Sequence, residues 1–260
     1  MMKLKFLYGL MMLATALTLT FGGDCYSTAA IFRPSDVADT AWREQQEPDK
    51  VLLAKFQQLC KKMSEIKDSY TVAGTMNIID HANPRDKMEN VKFLFCKKGD
   101  QYYYLLGTTA TINEDGIYLY IDNETKKILL SQQKKVVYDP GFKQFANLGA
   151  NIKSENYRLV SKVTGDMETL SLINEHHISC KQYSISLKKN SMTIKRLYMR
   201  LTNFYEPLKT DNEKVVDVSI SEWDDAADIS KYLTKDKVVI QGNGGWKTVS
   251  GFKNYQLIKM

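Results

Sequence analysis

The chain has 260 residues, 36 basic against 30 acidic side chains for a formal charge of +6, and 43% apolar residues. A surplus this small attracts anions without specifying nucleic acid, and neither arginine-rich clusters nor groove-reading motifs occur. The basic pairs Lys61-Lys62, Lys97-Lys98, Lys126-Lys127 and Lys134-Lys135 fall on separate segments and read as solvated faces.

Residues 1–30 have the three parts of a secretory signal peptide. Lys3 and Lys5 give a positive start, Phe6 to Phe21 carries no charge, and Ser27, Ala29 and Ala30 supply small residues for cleavage. The apolar run of about 16 residues is short of the roughly 20 that span a bilayer. Removing the segment takes away two lysines and Asp24, leaving +5. Cleavage after Ala29 or Ala30 would release a free periplasmic protein. Lipidation of Cys25 would instead give an outer-membrane lipoprotein attached to the membrane, although Asp24 fits poorly before a lipidated cysteine. Export permits disulfides. Cys60, Cys96 and Cys180 survive ordinary cleavage, so at least one is a free thiol, and the absence of CxxC removes support for a thioredoxin-like role.

Residues 31–47 read as a polar, flexible leader, and 48–260 as one domain ending in a small tail of strands. Asp49 to Ile66 is an amphipathic helix, with Leu52, Phe56, Leu59, Met63 and Ile66 on one face. Pro48 and Asp49 suit its start, and lysines its end. From Ser69 the period changes to that of strands. Ser69 to Ile79 contains Gly74, a sign of a bulge or a close backbone approach. Glu89 to Lys97, Gln101 to Leu106, Thr108 to Asn113, Ile117 to Ile121 and Lys127 to Gln132 follow with short turns between them, as an antiparallel meander. Phe142, Phe145 and Leu148 suit a short helix after Pro140-Gly141. Strands resume at Tyr157 to Val163, Glu168 to Asn174, His177 to Leu187, Thr193 to Asn203 and Lys214 to Trp223. Asp224 to Leu233 reads as a helix with aspartates at its positive end. Val238 to Ile240, Trp246 to Val249 and Tyr255 to Ile258 finish the chain. The fold class is α+β, a curved antiparallel sheet forming an unclosed β-barrel over one or more helices.

No catalytic constellation or cofactor motif emerges, and a non-enzyme is expected. His176 and His177 on a strand would point to opposite faces and could not chelate one metal. Glu222, Asp224, Asp225 and Asp228 lack the spacing of a calcium loop. Gly242 to Gly245 lacks the Lys-Ser/Thr of a phosphate loop and reads as a turn. Asn123-Glu124-Thr125 is a glycosylation sequon, relevant only in a secreted eukaryotic protein. What remains is aromatic: Phe93, Phe95, Tyr102, Tyr104, Tyr118 and Tyr120 on neighbouring strands are the candidate ligand-binding residues. Both faces of Tyr102 to Leu106 and of Ile117 to Ile121 are apolar, so either a second layer covers one face or the concave side holds an apolar ligand.

The order of elements is itself informative. A helix ends in Lys67-Asp68-Ser69-Tyr70. Strands with Ala73-Gly74-Thr75-Met76 and Val91-Lys92-Phe93-Leu94-Phe95 follow, then the turn Asn113-Glu114-Asp115-Gly116-Ile117-Tyr118, Ile121-Asp122 and Lys127-Ile128-Leu129-Leu130. Over residues 48 to 223 this resembles the periplasmic outer-membrane lipoprotein carrier and receptor family. The resemblance implies an unclosed barrel over helices that binds a lipid or a lipoprotein acyl chain, without cofactor, and an envelope protein as partner. An envelope interaction protein with a core filled by its own side chains is the alternative. That family holds its lid with an arginine on a barrel strand; none of Arg85, Arg158, Arg196 and Arg200 is assigned to that place.

Overall fold

The computed structural model describes residues 49–64, 69–134, 152, 154–203, 206 and 209–260. The signal segment with Cys25, the leader and the expected helix around Phe142 lie outside them.

Helix α1 spans Lys50–Ser64. Asp49 is its N-cap: its Oδ1 accepts the amide protons of Val51 at 2.8 Å and Leu52 at 3.4 Å, satisfying donors that have no partner inside a first turn. Asp49→Ala is therefore expected to cost about 1 kcal/mol, read as a lower urea midpoint at unchanged slope. Leu52 is partly buried, and Phe56 and Leu59 are fully buried as the periodicity predicts. Cys60, which the sequence pattern did not assign to that face, is buried beside them. Lys55 on α1 pairs with Glu168, which also accepts the Ser161 hydroxyl at 3.0 Å.

Fourteen strands follow among the described residues: β1 Ser69–Asp80, β2 Met88–Lys98, β3 Gln101–Leu106, β4 Thr109–Glu114, β5 Ile117–Asp122, β6 Lys127–Gln132, β7 Arg158–Thr164, β8 Met167–Ile173, β9 Cys180–Lys188, β10 Ile194–Leu201, β11 Lys214–Asp224, β12 Val239–Gly242, β13 Gly245–Thr248 and β14 Gln256–Lys259. Twelve of them form one open sheet in the order β14-β6-β5-β4-β3-β2-β1-β11-β10-β9-β8-β7, while β12 and β13 pair separately. The sheet is an unclosed half-barrel of the expected class. Two- to four-residue turns join β2 to β3, β3 to β4, β4 to β5, β5 to β6, β7 to β8 and β12 to β13. Between β4 and β5, Asp115 at φ 44° and Gly116 at φ 82° form the kind of turn whose twist matches flanking strands. The two meanders join in the middle of the sheet at β1 and β11, which pair antiparallel over Thr71–Asp80, while its ends are β14 and β7.

The two faces of this sheet have different covers. The inner face carries α1 and a cluster that includes Phe56, Leu59, Val72, Leu170, Tyr183 and Val218. The outer face of β2–β6 carries a second cluster, in which Cys96, Ile112, Leu119 and Ile128 pack against Ile229, Val238 and Val239. A second layer thus accounts for the two apolar faces of β3 and β5, and the C-terminal segment supplies it.

Several sequence expectations need correction. β14 pairs parallel to β6, so the tail extends the main sheet and the sheet is not wholly antiparallel. Asp224 to Leu233 is not a helix: β11 continues to Asp224, and only Ile229–Lys231 forms a short 3-10 turn. Asp224 and Asp228 instead accept the Ala226 amide and the Ser230 hydroxyl, the local bonding by which aspartate competes with helix. Lys97 is buried rather than solvated. The described cysteines Cys60, Cys96 and Cys180 are free, buried thiols, and burial pushes the Cys180 thiol up to about 12.

Candidate functional site: the aromatic inner face

In a sheet, residues directly opposite one another across strands share a face. The ladders therefore place the six candidate aromatics. Phe95 on β2 faces Tyr104 on β3, Tyr104 faces Thr111 on β4, and Thr111 faces Tyr120 on β5. A second row runs Lys97, Tyr102, Asn113 and Tyr118. Phe93 sits opposite Gly74 on β1. Val72 lies opposite Phe95 and belongs to the inner core cluster, with Phe93, Phe95 and Tyr104 packed against it. All six candidates thus share the inner face.

Phe95 is the centre of the group. Its ring centroid lies 5.7 Å from Tyr70, 6.0 Å from Tyr102 and 5.8 Å from Tyr104, within the range of favourable aromatic pairing. Tyr70, which the sequence pattern did not single out, joins the group from the neighbouring strand β1. The Nζ of Lys134 stands 4.0 Å from the centroid of Tyr118. Asn113 is fully buried between Tyr102 and Tyr118. Its Nδ2 donates to the carbonyls of Asp100 at 2.7 Å and Lys134 at 2.9 Å, and its Oδ1 accepts the Lys134 amide at 2.9 Å. An asparagine amid tyrosines thereby fixes where the chain leaves β6.

Desolvation raises the phenols of Tyr102, Tyr104, Tyr118 and Tyr120 above their ordinary value. They stay neutral throughout the physiological range, so the face carries hydroxyls and no phenolate.

Burial varies across this one face. Where α1 covers β8 and β9, Leu170, Leu172, Ile185 and Leu187 are at most 1% exposed. Across β2–β5, all six aromatics are only half-buried. On the same strands the opposite, outer side is closed, with Cys96, Ile112, Leu119 and Ile121 at 0%. Solvent therefore reaches the six aromatic rings and not Cys96, Ile112, Leu119 and Ile121 behind them, while Leu94 and Leu105 at the margin of the outer cluster are partly buried.

Other candidates resolve into structural roles. His176 and His177 lie in the β8–β9 turn and not on a strand. His177 Nδ1 accepts the amides of Cys180 at 3.0 Å and Ser179 at 3.2 Å, its Nε2 bonds Glu155, and its ring stacks on Tyr157. The Ser179 hydroxyl is 3.2 Å from Nδ1, but that nitrogen's lone pair is already committed to amide protons. Arg158, Arg196 and Arg200 alternate with Leu159, Leu197 and Leu201 and so stand on the outer face. Arg85 lies in an exposed turn. Among the described residues no group of three or more His, Cys, Asp and Glu could hold a metal ion, and no helix is long and apolar enough to cross a membrane. The amide of Asn123 donates to the Thr108 carbonyl and accepts the Tyr255 hydroxyl, both at 2.8 Å.

No family model and no curated protein matches the chain. Solved structures similar to it include a LolA superfamily protein from Nitrosomonas europaea (13% identity, 69% of this chain and 97% of that one, TM-score 0.28). LprF from Mycobacterium bovis is similar at 12% identity over 70% of this chain and 97% of that one, with a TM-score of 0.38. A DUF1329 family protein from Desulfovibrio piger is similar at 8% identity over 68% of this chain and 93% of that one, with a TM-score of 0.28.

Proposed function

We propose that this is an exported cell-envelope protein that holds a lipid, or the acyl chain of a lipoprotein, against the inner face of β2–β5 without catalysis. The observation that carries this reading is the burial gradient on that face: a sealed aliphatic half under α1, and a half-buried aromatic half beside it. Each methylene removed from water contributes ~0.8 kcal/mol, so an acyl chain lying along Phe95, Tyr104 and Tyr120 would be held by area alone. Neutral tyrosines suit such a chain better than ionised groups, because their hydroxyls bond locally and their rings stay apolar. The signal segment places this binding in the periplasm, with Cys25 either removed or acylated as an anchor.

A second reading, an envelope interaction protein with a filled core, draws on the packing of Phe93, Phe95 and Tyr104 into the inner cluster. Mass spectrometry of protein purified from its native envelope separates the two. Co-purified acyl lipid above that in a control preparation is expected. Tyr102 and Tyr120 lie outside the packed cluster, so Tyr102→Lys and Tyr120→Lys should fold normally. Each places a charge on the apolar face and should lower bound lipid at least about tenfold. Lipid at control level in the wild type would sink the lipid reading and leave the filled core.

A further inference from the structure

The chain's positive charge is gathered at one place in the fold. Residues 229–260 contain six lysines, one aspartate and no arginine, a net +5 of the chain's +6. This is the layer on the outer face of β2–β6. Elsewhere several cations are matched by carboxylates. Lys55 pairs with Glu168, Lys181 and Arg200 with Glu213, Arg196 with Asp217, and Lys214 with Asp80. In the layer Lys235 pairs with Asp115, but among the described residues Lys237, Lys247, Lys253 and Lys259 enter no ion pair with a carboxylate, and all four are exposed. The adjoining edge adds exposed Lys126 and Lys127.

Apolar side chains emerge among these lysines. Ile240 is 51% exposed and Met260 71%. In the β12–β13 hairpin, Ile240 lies opposite Lys247, so the two share the outward side, while Val239 at 0% anchors the inward one. Lys259 reaches the hairpin tip: its Nζ is 3.0 Å from where a Cβ on Gly245 would stand. Trp246 and Phe252 are partly buried at the margin of the same cluster.

We infer that this C-terminal layer docks the protein on an anionic lipid surface. Unmatched lysines are compact cations for phosphate headgroups, and the exposed side chains of Ile240 and Met260 suit the headgroup–acyl boundary. A nucleic acid would call for arginine forks, which this segment lacks. The layer is on the opposite side of β2–β6 from the aromatic face, so the inference is independent of what that face holds.

The test uses the chain as exported, with Cys25→Ser so that no acyl anchor contributes, in sedimentation with phosphatidylcholine vesicles with and without phosphatidylglycerol. Binding is expected only with phosphatidylglycerol and should weaken with added salt. Each lysine near such a surface is worth roughly fivefold in affinity, so K237Q/K247Q/K253Q/K259Q should lose about a hundredfold or more. Ile240→Ser should weaken binding while leaving its salt dependence unchanged. These side chains are exposed, and an unaltered thermal melt would show that the variants fold. Equal binding to pure phosphatidylcholine, no binding, or an unaffected quadruple variant overturns the proposal. So does tight binding to heparin together with an Ile240→Ser variant that binds vesicles like the wild type, which would assign the surface to an acidic macromolecule.

Discussion

Glu213→Leu is expected to destabilise the fold by about 3–5 kcal/mol, the cost of leaving a buried charge without its partner. Glu213 is 6% exposed and Lys181 3%. Lys181 Nζ donates to Glu213 Oε1 at 2.9 Å, and Arg200 Nε donates to Oε2 at 2.9 Å. Arg200 keeps a second partner in Glu175, through two bonds of 2.9 and 2.8 Å; among the described residues Lys181 pairs with no second carboxylate. Replacing both members, as Lys181→Met with Glu213→Leu, should recover much of the loss, because a well-packed apolar pair is often as stable as a buried ionic one. Urea unfolding of the two single variants and the double gives the coupling. Single-variant losses below about 1 kcal/mol, the level of an exposed pair, would show that water reaches the site.

The same carboxylate makes a pH-dependent contribution. Burial works to raise the Glu213 carboxyl, but the hydrogen bonds from Arg200 and Lys181 outweigh it and hold it below its ordinary value. A carboxyl depressed in the folded state contributes stability that is fully present above its unfolded value, about 4.3, and is lost as pH falls through the folded value. Glu168, lowered chiefly by its hydrogen bond from Lys55, acts in the same window. Stability measured from neutral pH downward should therefore fall in acid. In Glu213→Leu the fall should be shallower, with the remainder belonging to groups such as Glu168.

That network shows why part of the molecule could not be read from the chain. The described strands and helix α1 were legible because alternation, a 3.6 period and turn residues such as Asp115-Gly116 are local signals. Strand alternation also put Phe95, Tyr104 and Tyr120 on one face, although it could not say which face was inner. Lys181 was not legible. The β9–β10 register shifts between Arg200 and Leu201, where Cys180 and Gln182 take consecutive partners, and such a bulge turns Lys181 toward Glu213 against simple alternation. The outer layer escaped for a different reason. Ile229, Val238 and Val239 belong to short segments with no period of their own, and only the tertiary fold sets them on Ile112 and Leu119. Asp224 to Leu233 misled because aspartates that suit a helix start also suit the turns they form here.

Gly74→Ala is expected to destabilise by about 3 kcal/mol or more, at or beyond the upper end for overpacking. The usual sign of this substitution is the reverse: where the backbone tolerates a side chain, alanine gains ~0.4–1 kcal/mol by restricting the unfolded chain. Nothing in the Gly74 backbone conformation calls for glycine, since its φ is outside the left-handed region. The obstacle is space. A Cβ there would stand 1.9 Å from the carbonyl oxygen of Ser219 and 3.0 Å from Cε1 of Phe93. Phe93 could turn aside, but Ser219 cannot. It lies on β11 opposite Thr75 on one side and Arg196 on the other, so moving its carbonyl means disturbing two ladders at once. The register shift beside Gly74, where Ala73 faces Glu222 and Gly74 faces Ile220, draws the two backbones together, and Ser221 holds that geometry by donating to the Ala73 carbonyl at 3.1 Å. Because β1 and β11 join the two meanders, the loss should appear as a lower urea midpoint for the whole sheet. Phe93→Ala, which frees the movable neighbour, should not rescue Gly74→Ala if the Ser219 carbonyl is the barrier. Rescue by Phe93→Ala would place the clash in the aromatic face instead, and an unchanged midpoint in Gly74→Ala alone would show that the β1–β11 seam can open.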